Sequence, residues 1–152
     1  MSLERARAFL EEKGLGSRII IPEESSATVE LAAKALGTEP ERIAKTMSFL
    51  LGEDAILILT EGTARVDNQK FKAQFHTKAK MIPRELVEEK VGHEPGGVCP
   101  FGVKDGVVTY LDVSLKKYDI VYPAAGTDHS AVKLTPQELE ACLQADWVDV
   151  CK

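Results

Sequence analysis

MSFLLGEDAILILT, residues 47–60, sets two apolar runs, Met47 to Leu51 and Ala55 to Thr60, on either side of Gly52, Glu53 and Asp54. Short apolar runs divided by turn formers read as a β-hairpin, here with a three-residue loop. The middle of the chain is therefore expected in a sheet, and the flanking segments have to cover it.

Toward the N-terminus the pattern becomes helical. Thr38 with Glu41 has the spacing of a capping box, and Pro40 suits a first turn, so a short helix is expected to carry Ile43 and Ala44 and end near Lys45. Before it, Val29, Ala32, Ala33 and Leu36 make one apolar face of a helix starting near Thr28, with Gly37 as its C-terminal stop. Arg18 to Pro22 reads as a short strand because it holds three consecutive isoleucines. Leu3, Ala6, Phe9 and Leu10 recur at helical spacing, and Gly14 and Gly16 end that helix.

Toward the C-terminus, Gly62 to Val66 is a connection, and Asp67 can cap a helix with Phe71 and Phe75 on one side. Pro83 opens another, with Leu86, Val87 and Val91 apolar and Gly92 as the stop. EPGGVCPFGVKDG, residues 94–106, packs four glycines and two prolines into thirteen residues, which makes a shaped loop. Strands are expected at Val107 to Leu111, Tyr118 to Tyr122 and Ala131 to Leu134, with a second special turn at Pro123 to Asp128. Thr135, Pro136 and Glu138 begin the last helix, and Trp147 and Val148 pack the tail onto the body. The expected class is α+β, a single domain over residues 1–152, with a mixed, largely antiparallel sheet curled into a barrel-like body and flanked by helices.

Composition narrows the function. The chain has 152 residues, enough for one real core, and a formal net charge of -5. That balance argues against a broad non-specific nucleic-acid surface, because phosphate contacts need a basic face; recognition of a few terminal nucleotides fits better. No stretch approaches the roughly 18 apolar residues that a membrane span requires. Cys99, Cys142 and Cys151 match no zinc spacing, nor do His76, His93 and His129, so reduced thiols in a cytoplasmic protein and no metal are expected.

Several residues carry chemistry. Lys45 sits at an element junction, where one charged side chain can enter a cleft; a solvated helix-end charge is the plainer reading. Thr46 can offer a hydroxyl there or simply start a strand. Gly96 and Gly97 can bring backbone N–H groups close to a ligand, Pro100 would stiffen the loop and Gly102 would let the chain leave it. Cys99 invites a thiol mechanism, provided a histidine reaches it. His129 shares a turn with Gly126, Thr127 and Asp128, and its imidazole can orient water or an amine. Lys70, Lys72, Lys78, Lys80, Lys116 and Lys117 can steer an RNA or merely cover the surface.

Three segments taken in order, SSATVELAAKALGTEPERIAKTMSFL (25–50), GGVCPFG (96–102) and AAGTDHSAVKLTPQEL (124–139), resemble the YbaK/prolyl-tRNA editing family. The resemblance rests on the Lys45–Thr46 pair, on the glycine-glycine-x-x-proline-x-glycine loop and on the small-residue turn before the last strand and helix. It implies a mixed-sheet barrel and hydrolysis of aminoacyl esters on tRNA. Proline tRNA charged with alanine, cysteine, serine or threonine is the implied substrate, with no metal or other cofactor. Its partners would be the acceptor end of the aminoacyl-tRNA and, transiently, a synthetase; neither DNA nor a membrane is implied. It makes Lys45, Gly96, Gly97 and His129 the candidate catalytic residues. Thr46, Val98, Cys99, Pro100, Phe101, Gly102, Gly126, Thr127 and Asp128 would line the substrate site, Cys99 without acting as nucleophile. Two alternatives stay open: a non-catalytic tRNA- or synthetase-binding relative, and a Cys99 thiol hydrolase of another ester or amide.

Overall fold

The computed structural model describes residues 2–25 and 28–152; Ser26 and Ala27, inside the first stretch of resemblance, lie outside the described residues. The hairpin is the centre of the molecule. Strands β2 (Ile43–Leu51) and β3 (Asp54–Glu61) pair antiparallel from Ala44↔Glu61 to Leu51↔Asp54. Because Leu51 pairs with Asp54, the loop is the two residues Gly52 and Glu53, one fewer than expected, with Gly52 at φ 65° taking the left-handed turn.

The full sheet has the order β5-β2-β3-β4-β7, adding β4 (Val108–Asp112), β5 (Tyr122–Pro123) and β7 (Asp146–Val148). The sheet is mixed, as expected: the hairpin is antiparallel, while β2 with β5, β3 with β4 and β4 with β7 run parallel. The reason is the long excursion between β3 and β4, which returns the chain in the direction it left. A second, antiparallel pair joins β1 (Ile19–Ile20) to β6 (Ala131–Val132), and a bridge from Val121 to Leu134 links it to the main sheet. The product is an α+β body whose main sheet curls into a half-barrel.

Among the described residues five helices flank it: α1 (Ser2–Glu12), α2 (Val29–Leu36), α3 (Asn68–Phe75), α4 (Arg84–Val91) and α5 (Pro136–Leu143). Their ends follow local chemistry. Asp67 accepts from the Gln69 and Lys70 N–H groups, Thr135 and Glu138 form a full capping box, and Gly37 and Gly92 close their helices at positive φ. Phe71 and Phe49 pack ring to ring at 5.0 Å, which fastens α3 to the hairpin.

Two expectations fail for one physical reason, tertiary pairing overriding local propensity. Pro40–Arg42 makes a single 3-10 turn, Thr38 caps nothing, and Ile43 is already paired with Tyr122; Lys45 therefore lies on a strand and not at a helix end. Val113–Lys117 forms a 3-10 turn, and only Tyr122–Pro123 of the next expected strand joins the sheet. Trp147 and Val148 pack the tail onto the body as expected, and β7 in addition pairs with the open edge of β4.

Candidate functional site

Strand alternation in β2 sends Ala44 and Thr46 to one face and Lys45 and Met47 to the other. On the first face lies a pocket of about 250 Å³. Its walls come from Thr28, Val29 and Ala32 of α2, Ala44 and Thr46 of β2, Gly96 and Val98 of the glycine-rich loop, and Ala124, Ser130 and Ala131. Most of these side chains are small, and Leu36, Ile43 and Tyr122 add larger apolar walls. Thr46 Oγ1 is buried without a hydrogen-bond partner among the described residues, an arrangement that costs about 1–3 kcal/mol unless a ligand supplies one.

Lys45 borders this pocket and also a wider depression of about 700 Å³ on the other face. Its ammonium donates to the Ala64 carbonyl at 2.5 Å, which holds the charge beside the 62–66 connection.

The glycine-rich loop is shaped by contacts at both ends. Gly97 N–H donates to the Glu94 carbonyl at 3.0 Å, so it is already used and is not the free donor expected. The N–H groups of Gly96 and Val98 have no intramolecular partner among the described residues. Gly97 is needed for a different reason: a Cβ there would lie 2.5 Å from the Gly126 oxygen and 2.7 Å from its carbonyl carbon. Two backbones touch at this point, and only glycine permits it. Gly102, at φ 72°, faces the Arg5 carbonyl at 2.6 Å from its would-be Cβ, which places it against α1 and away from the pocket.

Cys99 and Phe101 are fully buried and Pro100 is buried, all three outside the pocket lining. Phe101 packs on Phe9 of α1 with ring centres 6.1 Å apart. A histidine does reach the Cys99 thiol: His93 Nε2 lies 3.5 Å from Sγ. Both groups are fully buried, however, and both point at the Phe101 carbonyl, at 2.7 Å from His93 Nε2 and 3.6 Å from Cys99 Sγ. Burial pushes the thiol up to about 12 and, ahead of other causes, holds the imidazole below its ordinary value. Burial disfavours the charged form of both groups, which works against an activated thiolate, and their shared contact with the Phe101 carbonyl clasps the loop. His93, assigned no role from the sequence, is thereby the residue that joins the two ends of the loop.

The 124–130 turn is organised by a residue that sequence reasoning missed. Ser130 Oγ is buried and receives the Ala125 and Thr127 N–H groups, both at 3.2 Å, and the Thr127 hydroxyl at 2.9 Å. The signal available was a serine inside a run of small residues, the usual setting of a side-chain-closed turn. Gly126, Thr127 and Asp128 line a separate depression of about 470 Å³ with Glu4, Glu94 and Gly97. His129 is half exposed next to this lining and not part of it, with Nδ1 at 2.7 Å from Asp128. Thus Thr46, Gly96 and Val98 converge with Lys45 at their edge, while the 126–129 group stands across the Gly97–Gly126 contact.

The fold and this pocket define an editing-domain architecture. It superposes on a crystal structure described as that of a candidate trans-editing enzyme for prolyl tRNA synthetase with a TM-score of 0.90 and 32% identity, over 99% of this chain and 97% of that one. The chain belongs to the aminoacyl-tRNA editing domain family, whose model matches residues 23–142. It is 45% identical to the uncharacterized protein YwhH of Bacillus subtilis (strain 168), over 100% of this chain and 98% of that protein. It is also 25% identical to EbsC of Enterococcus faecalis (strain ATCC 700802 / V583), a candidate Cys-tRNA(Pro)/Cys-tRNA(Cys) deacylase, over 84% of this chain and 79% of that protein.

Proposed function

We propose that this chain acts in trans as a hydrolase that deacylates mischarged tRNA, with proline tRNA carrying alanine, cysteine, serine or threonine as substrate. The observation that carries the reading is the pocket of about 250 Å³ walled by Ala44, Thr46, Gly96, Val98 and Ala131. A cavity of this volume admits a small side chain, and Leu36, Ile43 and Tyr122 among its walls restrict a bulkier one, the volume logic of an editing sieve. The names of EbsC and of the trans-editing structure support the choice of proline tRNA.

An aminoacyl ester is already activated, so the site has to hold it, place an attacking oxygen and stabilise charge. Water adds to the ester carbonyl carbon; the carbonyl oxygen takes the negative charge; the bond to the ribose oxygen then breaks, and that oxygen leaves with a proton. The free N–H groups of Gly96 and Val98 supply the donors for the carbonyl oxygen, in place of Gly97. Thr46 Oγ1 gains its missing partner from the aminoacyl group. Lys45 fixes the RNA end that carries the ester. For a cysteinyl ester the substrate's own thiol can replace water. The reaction needs no Cys99 thiolate, and His129 acts at most as a peripheral contact.

The test is deacylation of proline tRNA charged separately with alanine, cysteine, serine, threonine and proline. Rapid release of at least one small non-cognate residue with proline spared is expected. No release of any of them by folded protein contradicts the reading and favours a non-catalytic binding role.

A further inference from the structure

The wider depression beside Lys45 is lined by more cations than acids. Lys45, Arg65 and Lys152 border it with Glu30 as the acid, in a chain of net charge -5. Val29, Met47 and Val66 give it apolar walls, alongside Gly62 and Thr63. The cations are brought together by backbone pairing: Val66 bridges Cys151, and Lys152 N–H donates to the Arg65 carbonyl at 2.9 Å. Among the described residues the Arg65 and Lys152 side chains form no ion pair or side-chain hydrogen bond. The lysine run that the sequence offered for steering RNA is different in part: Lys70 is spent on Asp149 at 3.1 Å and the Cys151 carbonyl at 2.9 Å, and Lys116 lies over the Trp147 ring. The depression on the far side of the glycine loop carries Glu4, Glu94 and Asp128, a poor surface for phosphate.

We propose that the Arg65–Lys152 depression is the nucleotide subsite for the single-stranded 3′ end of the RNA substrate. Arg65 and Lys152 take a backbone phosphate, and Val29, Met47 and Val66 take the flat face of a base or its ribose. The proposal rests on the reading above, because the depression shares Val29 and Lys45 with the aminoacyl pocket. An ester in the smaller pocket then has its own nucleotide in the adjoining depression, where the two meet at Val29 and Lys45. Arginine suits this place, since its planar fork pairs with two phosphate oxygens at once.

The experiment uses the full chain and an uncharged RNA hairpin ending in single-stranded ACCA, with binding followed by fluorescence anisotropy across a salt series. Arg65→Glu and Lys152→Glu are expected to weaken binding at least tenfold and to flatten the salt dependence, by about 0.7 in the log–log slope for each phosphate no longer neutralised. Lys72→Glu, an exposed charge reversal on α3, serves as control and is expected to change binding less than threefold. Thermal melting of each variant verifies folding, and Arg65→Lys is expected to restore part of the affinity. Equal weakening by Lys72→Glu and Arg65→Glu, or unchanged binding in Arg65→Glu and Lys152→Glu, overturns the subsite. Because the RNA is uncharged, Arg65-dependent binding without deacylation of any ester leaves the subsite standing and removes the hydrolase reading. Deacylation with no Arg65 dependence of binding or KM does the reverse.

Discussion

The loop at 94–106 and the turn at 124–130 are both glycine-containing and both carry reactive residue types, yet they place them oppositely. The loop draws its chemistry inward: Cys99, Phe101 and neighbouring His93 are fully buried, and Gly96 and Val98 are left at the pocket. The turn draws a hydroxyl inward, Ser130, and leaves Asp128 and His129 outside. The two meet through backbone alone, at Gly97 and Gly126. What a residue could do in isolation is thus a poor guide to its work here; what the backbone needs at each position is a better one.

The comparison is broken most severely where the backbones touch. Gly97→Ala puts a Cβ 2.5 Å from the Gly126 oxygen, and neither partner is a movable side-chain tip. Overpacking of this kind costs about 1–3 kcal/mol. A displacement of about 1 Å at the loop costs on the order of a hundredfold in rate. Urea unfolding together with deacylation kinetics tests both, and a variant with wild-type activity would separate the loop from the site.

Next comes the clasp. His93→Leu removes the donor to the Phe101 carbonyl, and a stability loss of about 1–3 kcal/mol is expected. His93→Gln, which retains an N–H in reach, recovers part of it. The imidazole also sets a pH dependence. Its folded pKa is depressed by burial, so below the ordinary histidine value the unfolded chain takes a proton that the folded chain refuses. Stability is complete above that value and falls as the pH falls toward the folded pKa. In His93→Gln this part of the acid loss disappears from denaturation curves measured at a series of pH values.

A smaller effect is expected at the thiol. Cys99→Ser keeps deacylation within about threefold, and the native thiol, held at about 12 and fully buried, resists iodoacetamide until the chain is unfolded. Smallest is His129→Ala, at a half-exposed position, with a stability change within about 0.5 kcal/mol and a rate change below about threefold. A hundredfold loss there would move the chemistry to the turn.

Much of the fold was legible because its signals were local. The Gly52–Glu53 break, the Asp67 cap, the Thr135–Glu138 box and the Gly37 and Gly92 stops each act within a few residues. The start of β2, the brevity of β5 and the existence of β7 were not legible, because each depends on which distant strand lies beside it. The same division holds at the site. The Lys45–Thr46 pair and Gly96, singled out in the sequence, do come to one pocket, but the inward rotation of Cys99 and the use of the Gly97 N–H are fixed by His93, Glu94 and Gly126. Arg65 and Lys152, 87 positions apart in the sequence, become neighbours only through the pairing of Val66 with Cys151.

The central claim is that the ester is cleaved at the Lys45-bordered pocket without a protein thiol. The direct measurement is single-turnover deacylation of the best small-residue substrate by Lys45→Ala and by Cys99→Ala, each verified as folded. The account predicts a loss of about a hundredfold or more for Lys45→Ala and a change of no more than a few fold for Cys99→Ala. Near-normal rates in Lys45→Ala with an inactive, folded Cys99→Ala would contradict it.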